Sequence, residues 1–267
     1  MLEYMYITND PDEAKLLSKE KGLRFFIDLE INGKKERQLN RDTHISNHNL
    51  SDIDKIKNAA GDNPVMVRIN PLNACSRQEI EDCIKRGADI IMLPMFSSEN
   101  ELKQLIELVR GRVKICPLIE TPQALCRIDD ILMFDEIAEY HIGINDLHLG
   151  LGVDFMFELV SDGIIEYLAS KLKFHGKRFG FGGVARVGKG VVPPEVVIGS
   201  HYEIGSQMVI LSRSFRNNLP KENLIEELHK LRKIEEKIEA WNANDFLKNK
   251  LRLKQIVKEK VLEGTQY

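Results

Sequence analysis

The stretch from residue 113 to residue 145 reads VKICPLIETPQALCRIDDILMFDEIAEYHIGIN and contains one complete strand–helix–strand unit. Val113–Ile119 is a short, almost entirely apolar run, and Tyr140–Asn145 is a second one. Between them, Pro122 opens a segment of helical periodicity that extends to about Phe134. Nearly continuous apolar strands are typical of parallel sheets that helices cover on both faces. The stretch therefore predicts a βαβ unit.

The same alternation of apolar runs and helical segments recurs on both sides of this unit. Ser, Asp or Pro opens several of the helical segments and Gly closes several, as helix capping favours. The segment after the sixth strand predicts one long helix near Phe157–Phe174. The eight predicted strands are Glu3–Thr8, Leu23–Leu29, Val65–Asn70, Asp89–Pro94, Val113–Ile119, Tyr140–Asn145, Phe179–Val184 and Gln207–Leu211.

Eight consecutive units of this kind predict a (β/α)₈ TIM barrel with a C-terminal helical extension. A doubly wound open sheet is the alternative, but no predicted strand is followed by the GxGxxG pattern of dinucleotide-binding sheets. We predict one domain, with the barrel core in residues 1–220. Residues 221–267 would supply the eighth barrel helix and an extension of it.

The C-terminal segment carries an apolar stripe at helical spacing, and no Gly or Pro occurs in residues 221–263. The stripe predicts a helix that packs on the barrel or on a partner subunit, and we expect a homo-oligomer formed through residues 221–263. The residues of the stripe are Leu224, Leu228, Leu231, Ile234, Ile238 and Trp241.

The composition narrows the possible classes of function. With 43% hydrophobic residues, the chain has enough apolar material for a large core, which argues against a disordered protein. The net charge of −3 disfavours a nucleic-acid-binding role, which usually needs a basic surface. The four cysteines have no CxxC spacing, and no signal peptide or membrane span is recognisable. We therefore expect a cytoplasmic protein without a nucleic-acid or membrane partner.

Polar side chains cluster where the predicted strands end. In a (β/α)₈ barrel these ends meet at one mouth, where catalysis takes place. A charged group at the end of an apolar strand is costly unless it is paired or binds a ligand, so several such ends indicate a site. The polar strand ends are Asp28 and Glu30, Arg68 and Asn70, Glu120 and Thr121, Asn145 and Asp146, and Ser212 and Arg213.

Two of these carboxylates suggest a metal site. Glu120 and Asp146 end neighbouring strands, and hard oxygen ligands with room for water suit Mg²⁺ or Mn²⁺. The planar guanidinium of Arg68 suits a substrate carboxylate or enolate oxygen. A structural role for either carboxylate, or a salt bridge from Arg68 to Glu120 or Glu30, is the alternative.

The long polar segment Gly33–Leu50 follows the second strand and contains His44 and His48. A histidine near its free pKa can donate and accept a proton, so either one is a candidate general acid or base, although loop histidines are often merely solvated. His148, just after Asp146, is an alternative candidate as a group that supports the metal site without binding the metal. The glycine-rich GGVARVGKG segment after the seventh strand could contact an anion, but a plain turn is slightly favoured.

Five short motifs occur in an order and at a spacing that resemble the HpcH/HpaI aldolase and citrate lyase β-subunit family, which belongs to the phosphoenolpyruvate mutase and pyruvate kinase-like barrel superfamily. The resemblance covers about residues 23–215. The motifs are IDLE (Ile27–Glu30), VRIN (Val67–Asn70), GADIIMLP (Gly87–Pro94), PLIET (Pro117–Thr121) and GINDLHLGLG (Gly143–Gly152).

The resemblance implies a divalent-metal-dependent carbon–carbon lyase or aldolase that acts on a pyruvate- or oxaloacetate-like 2-oxo acid through a metal-stabilised enolate. By motif, Glu120 and Asp146 match the metal-binding carboxylates, and Arg68 matches the substrate-binding arginine. The backbone N–H groups of Asn145 and Asp146 match those that hold the substrate carboxylate, and Glu30 matches the acid at the end of the DLE strand. The enolate would add to an aldehyde or acyl acceptor in the reverse reaction.

Three positions depart from the family pattern, so the substrate of either branch does not transfer. Ile31 follows DLE where the citrate lyase type has a second acid, Met95 replaces a lysine common in many relatives, and Ile144 replaces a proline common in the aldolase type. Two other functions stay open. One is a citrate lyase- or citrate synthase-like enzyme with an acyl thioester partner, and the other is a non-catalytic barrel that binds a small acid.

Overall fold

The computed structural model describes residues 1–31 and 47–264, which form a single sheet of nine parallel strand segments. The segments follow one another across the sheet in the order β5-β4-β3-β2-β1-β9-β8-β7-β6. Their bounds are β1 Glu3–Ile7, β2 Leu23–Asp28, β3 Val65–Arg68, β4 Ile90–Met92, β5 Lys114–Ile115, β6 Leu118–Ile119, β7 Glu139–Ile142, β8 Arg178–Val184 and β9 Met208–Leu211.

The nine segments make eight barrel strands, because β5 and β6 are two halves of one strand. Only Cys116 and Pro117 separate them. The Cys116 N–H donates to the Ile91 carbonyl of β4 at 2.9 Å, and the Pro117 carbonyl accepts from the His141 N–H of β7 at 3.0 Å. This strand therefore joins the two edges of the sheet. The predicted (β/α)₈ barrel is confirmed, and the open doubly wound sheet is ruled out.

Helices follow the strands around the outside of the barrel. Their bounds are α1 Pro11–Leu17, α2 Leu50–Ala59, α3 Ser76–Lys85, α4 Glu99–Val109, α5 Pro122–Cys126, α6 Ile128–Ile131, α7 Ile144–Leu151, α8 Glu158–Ser161, α9 Ile164–Phe174, α10 Pro194–Ile204, α11 Arg213–Arg216, α12 Leu224–Glu239 and α13 Ala243–Gly264, with a 3₁₀ turn at Lys221–Asn223.

Local sequence explains several helix boundaries. The Asn49 side chain accepts from the Ser51 N–H, and the carboxylate of Asp52 accepts from the Asn49 N–H in a capping box. The predicted single helix over Phe157–Phe174 is wrong, because Gly163 adopts a left-handed φ of 91° that interrupts it. The result is the separate helices α8 and α9.

The barrel interior is apolar in its middle and charged at its N-terminal end. At that end Arg24 and Arg178 each pair with Glu3 and Glu139, and the Arg24–Glu139 contact is 2.7 Å. Two cations and two anions therefore neutralise each other within the floor of the barrel. The apolar layer above it consists of Met5, Phe26, Met66, Ile90, Met92, Cys116, Leu118 and Met208.

Helix α12 buries its apolar stripe against its own chain, with Leu224, Leu228, Leu231 and Ile238 all buried in the main core. The carboxylate of Glu235 accepts from the Leu2 N–H at 2.6 Å, which ties the helix to the first strand. These four of the six stripe residues are thus covered without a second subunit, and the other two, Ile234 and Trp241, are partly buried against the same core.

Helix α13 packs on α10, where the Asn249 amide donates to the Val196 carbonyl at 3.1 Å. It leaves Leu247, Leu251 and Leu262 exposed, each by more than half of its surface. None of the helices in the described ranges combines the length and the apolar character needed to cross a membrane.

Candidate active site

Parallel pairing places the C-terminal ends of all the strands at one mouth of the barrel. Asp28 pairs in register with Arg68 across β2 and β3. Glu120 directly follows β6, and Asp146 lies in the first turn of α7, which begins just after β7. The polar residues that the sequence places at strand ends are therefore brought to the same end of the barrel.

Arg68 is held by carboxylates of the neighbouring strand. Its Nε and Nη2 atoms donate to Asp28 Oδ1 and Oδ2 at 2.9 and 2.8 Å, and its Nε lies 3.4 Å from Glu30 Oε2. Burial alone would lower the pKa of Arg68, but Asp28 and Glu30 raise it above its usual value. Arg68 is thus a fixed cation at the mouth. The salt bridge to Glu30 considered from the sequence is present, and Asp28 makes the closer contact.

Glu120 is almost completely buried, and it makes no ion pair with any residue of the described ranges. Its Oε1 atom accepts a hydrogen bond from the Met95 N–H at 2.9 Å. Burial and the neighbouring Asp146 carboxylate raise the pKa of Glu120 to about 8, although Arg68 lowers it. Burial and Asp146 together therefore disfavour the charged form of Glu120 more strongly than Arg68 favours it.

The start of α7 presents backbone donors at the mouth. Gly143 precedes the helix, and Asn145 and Asp146 occupy its first turn. The first N–H groups of an α-helix have no acceptor within the helix, and they carry a partial positive charge. This is the arrangement expected for holding a substrate carboxylate through backbone N–H groups.

His48 lies beside the Arg68 pair. The Asp28 N–H donates to its Nδ1 at 3.0 Å, which places the imidazole proton on Nε2 when the ring is neutral. His44, the other candidate acid or base, lies outside the described residues. His148 is buried within α7, and its Nδ1 is 3.2 Å from the Ile144 carbonyl, so its described contact is with the helix backbone.

Asn70, one of the polar strand ends, and Glu79 support the site, and the sequence analysis did not indicate Glu79. The Asn70 side-chain carbonyl accepts from the Ile31 N–H at 2.9 Å, and its amide donates to Glu79 on α3 at 2.8 Å. The chain just after Glu30 is thereby tied to a helix. Nothing in the sequence spacing of Glu79, which is partly buried in the structure, distinguishes it from the acids on exposed helix faces.

The loop after β8 contains a tight turn, in which the Lys189 N–H donates to the Arg186 carbonyl at 3.0 Å. Arg186 also donates to the Phe215 carbonyl. These contacts agree with the turn interpretation of the GGVARVGKG segment.

The donor set at the mouth fits a hard divalent cation with incomplete protein ligation. The described residues contain no group of three or more His, Cys, Asp or Glu side chains able to hold a metal ion. Glu120 and Asp146 would supply two carboxylates, and Mg²⁺ commonly binds one or two carboxylates together with substrate oxygens and water. Burial and, second, the charge of Asp146 raise the pKa of Glu120, and a cation bound beside both carboxylates would oppose the second effect.

Residues 47–156 match the family model described as HpcH/HpaI aldolase/citrate lyase. The match confirms the family resemblance predicted from the sequence. It includes Arg68, Glu120 and Asp146, and it supports an enzyme of the aldolase or lyase type. No curated protein matches the sequence.

Solved structures of two HpcH/HpaI proteins and of a citrate synthase share the fold. An HpcH/HpaI aldolase/citrate lyase family protein from Burkholderia cenocepacia J2315 is 12% identical, with a TM-score of 0.64 over 87% of this chain and 94% of that one. An HpcH/HpaI aldolase from Desulfitobacterium hafniense DCB-2 is 18% identical, with a TM-score of 0.59 over 91% and 94%. The citrate synthase SbnG is 17% identical, with a TM-score of 0.57 over 87% and 94%. At these identities, the similarities establish the fold alone.

Proposed function

We propose that this chain is a divalent-metal-dependent carbon–carbon lyase of the aldolase type that acts on a pyruvate- or oxaloacetate-like 2-oxo acid. The observation that carries the proposal is Glu120, a buried carboxyl without an ion pair in the described residues, whose pKa is raised to about 8 beside Asp146. Such a pair is unfavourable in an empty site and favourable around a cation.

Each residue at the mouth has a role in this proposal. Glu120 and Asp146 would hold the cation, which supplies a Lewis acid for the keto oxygen of the substrate. The backbone N–H groups of Asn145 and Asp146 would orient the substrate carboxylate. Arg68, held in place by Asp28 and Glu30, would donate to the keto oxygen as negative charge develops there.

The proton would be moved by His48 or His44. In the described contact His48 accepts from the Asp28 N–H at Nδ1, so its neutral ring carries a proton on Nε2 and would have to release this contact before Nε2 could accept a proton. In cleavage, one of these groups would take the proton of the hydroxyl on the carbon that becomes the aldehyde carbonyl as the carbon–carbon bond breaks. The same group would then return that proton to the enolate carbon.

The test is the exchange of the pyruvate methyl protons for deuterium in D₂O, measured by NMR. The reaction is run once with Mg²⁺ or Mn²⁺ and once with EDTA. We expect metal-dependent exchange in the parent protein and none in the Asp146→Asn variant. Asp129→Asn is the matched control, because Asp129 is a surface carboxylate paired with Lys171. Exchange that continues in EDTA or in Asp146→Asn would contradict the proposed mechanism.

The second question is which acceptor the enolate adds to in the reverse reaction. Turnover with an aldehyde would support the aldolase, and turnover with an acyl thioester would favour the citrate lyase- or citrate synthase-like alternative. Metal-dependent binding of pyruvate without proton exchange would instead favour a non-catalytic barrel. The cytoplasmic location and the homo-oligomer remain predictions beside this function.

A further inference from the structure

Met95 has a backbone conformation that is unusual for its residue type. Its φ is 55°, in the left-handed region that glycine adopts freely and that is strained for a residue with a side chain. It follows β4 at the mouth, and its side chain is only partly buried. Packing of the methionine side chain therefore does not explain why the backbone is held in this conformation.

The turn around Met95 is fixed by its contacts with the strand that ends in Glu120. The Leu93 carbonyl accepts from the Leu118 N–H at 2.9 Å, and the Phe96 carbonyl accepts from the Thr121 hydroxyl at 2.8 Å. Between these two anchors, the left-handed residue directs its N–H to Glu120 Oε1 at 2.9 Å. Residues 93–96 thus contact residues 118–121 at three successive points.

The backbone just after β7, at Gly143, approaches the same carboxylate from another direction. A Cβ atom built on Gly143 would lie 2.7 Å from Glu120 Oε2 and 2.8 Å from its Cβ, closer than real contacts allow. The glycine therefore gives the carboxylate the space in which Oε2 lies, while the Met95 N–H holds Oε1. The two contacts together restrict Glu120 to a narrow range of orientations.

We infer that Met95 is a positioning residue whose strained backbone orients Glu120 for cation binding, with Gly143 as the opposing wall. The inference rests on the proposed function for the claim that Glu120 binds a cation. The hydrogen bond from the Met95 N–H to Glu120 does not depend on that function. Glycine at 95 would adopt the same φ without strain, so the backbone conformation, and not the methionine side chain, is the functional element.

The first test measures the contact without any metal. In protein labelled with ¹⁵N-methionine, the Met95 amide should exchange with solvent about tenfold faster in Glu120→Ala than in the parent, since the variant removes its acceptor. The Met66 amide within β3 reports on global unfolding and should be unchanged. An unchanged Met95 rate in Glu120→Ala would overturn the inference.

The second test measures Mn²⁺ affinity by electron paramagnetic resonance. Met95→Val places a β-branched residue at positive φ and should weaken binding by about tenfold, as loss of a residue that orients a ligand typically does. Met95→Gly should bind as the parent does. Arg110→Val is the matched control, because Arg110 has a φ of 54° at the exposed end of α4, away from the mouth.

The outcomes separate the inference from the proposed function. Equal Mn²⁺ affinities for Met95→Val and Arg110→Val, with both variants folded, would overturn the positioning role. Should the parent bind no Mn²⁺ with or without pyruvate, the proposed function fails, and the amide exchange measurement alone decides whether Met95 holds Glu120.

Discussion

Replacing Asp28 by asparagine should reveal how strongly the mouth depends on the Arg68 pair. The two hydrogen bonds, of 2.9 and 2.8 Å, join side chains that are only 15% and 5% exposed. Removing one charge from a buried pair typically costs about 3–5 kcal/mol. Glu30, 3.4 Å from Arg68, still balances part of the charge of Arg68 in the variant. We therefore expect the free energy of unfolding to fall by about 3 kcal/mol, near the lower limit of that range.

The asparagine side chain would retain one acceptor oxygen for Arg68, but its amide would place N–H donors opposite a guanidinium donor. We therefore also expect pyruvate proton exchange to slow, because Arg68 loses its fixed orientation. Urea unfolding followed by circular dichroism measures the change in the free energy of unfolding, provided that the slope of the transition is unchanged.

The matched control is Glu81→Gln. Glu81 makes a bidentate pair with Arg112 at 2.9 and 2.7 Å, but the two side chains are 33% and 35% exposed. Solvent screens such a pair, so this change should have a far smaller effect. Equal losses of stability in the two variants would refute the reasoning that burial makes the Asp28 pair critical.

Three further predictions concern other parts of the chain. His48→Ala should lower kcat by about 10²-fold with little effect on pyruvate binding, measured by steady-state kinetics and titration, and full turnover would exclude His48 as the proton carrier. Burial lowers the pKa of His141 from 6.5 to about 3, so this residue binds fewer protons in the folded protein than in the unfolded chain. The contribution of His141 to stability should therefore be constant above pH 6.5 and decrease towards pH 3 by at most about 1.4 kcal/mol per pH unit, and buried His201 contributes in the same direction. His141→Gln should remove the first contribution and so reduce the slope of stability against pH in acid unfolding. If a homo-oligomer forms through α13, the double change of Leu247 and Leu251 to Glu should lower the mass measured by light scattering, whereas Met133→Glu, at an exposed site elsewhere, should not.

The repeating pattern of apolar strands and capped helices was sufficient to predict the barrel. Strand boundaries agree within a few residues, because parallel strands covered on both faces produce continuous apolar runs. The break at Gly163 was missed, since a glycine within a helical pattern does not by itself show that its φ is positive. The division of the fifth strand at Pro117 also depends on the hydrogen bonds of its two neighbours, which periodicity does not report.

The site was predictable as a set of residue types and much less as a geometry. The positions of Arg68, Glu120 and Asp146 at strand ends follow from the topology of the barrel. The contact between Met95 and Glu120 involves a backbone N–H, so no side-chain motif indicates it. Glu79 acts through Asn70 from a helix, and such indirect support leaves no spacing signal.

The two ends of the barrel show why the charged residues of the mouth are assigned to function. At the floor, Arg24 and Arg178 each contact both Glu3 and Glu139, so opposite charges are matched without a ligand. At the mouth, burial and the charge of Asp146 prevail at Glu120 over the pull of Arg68, and the pKa of Glu120 rises to about 8. Burying a carboxyl beside a second carboxylate is unfavourable for stability. A cation bound by both carboxylates would make the electrostatic interaction at this position favourable. The unfavourable burial of Glu120 therefore supports the proposal that the mouth binds a cation.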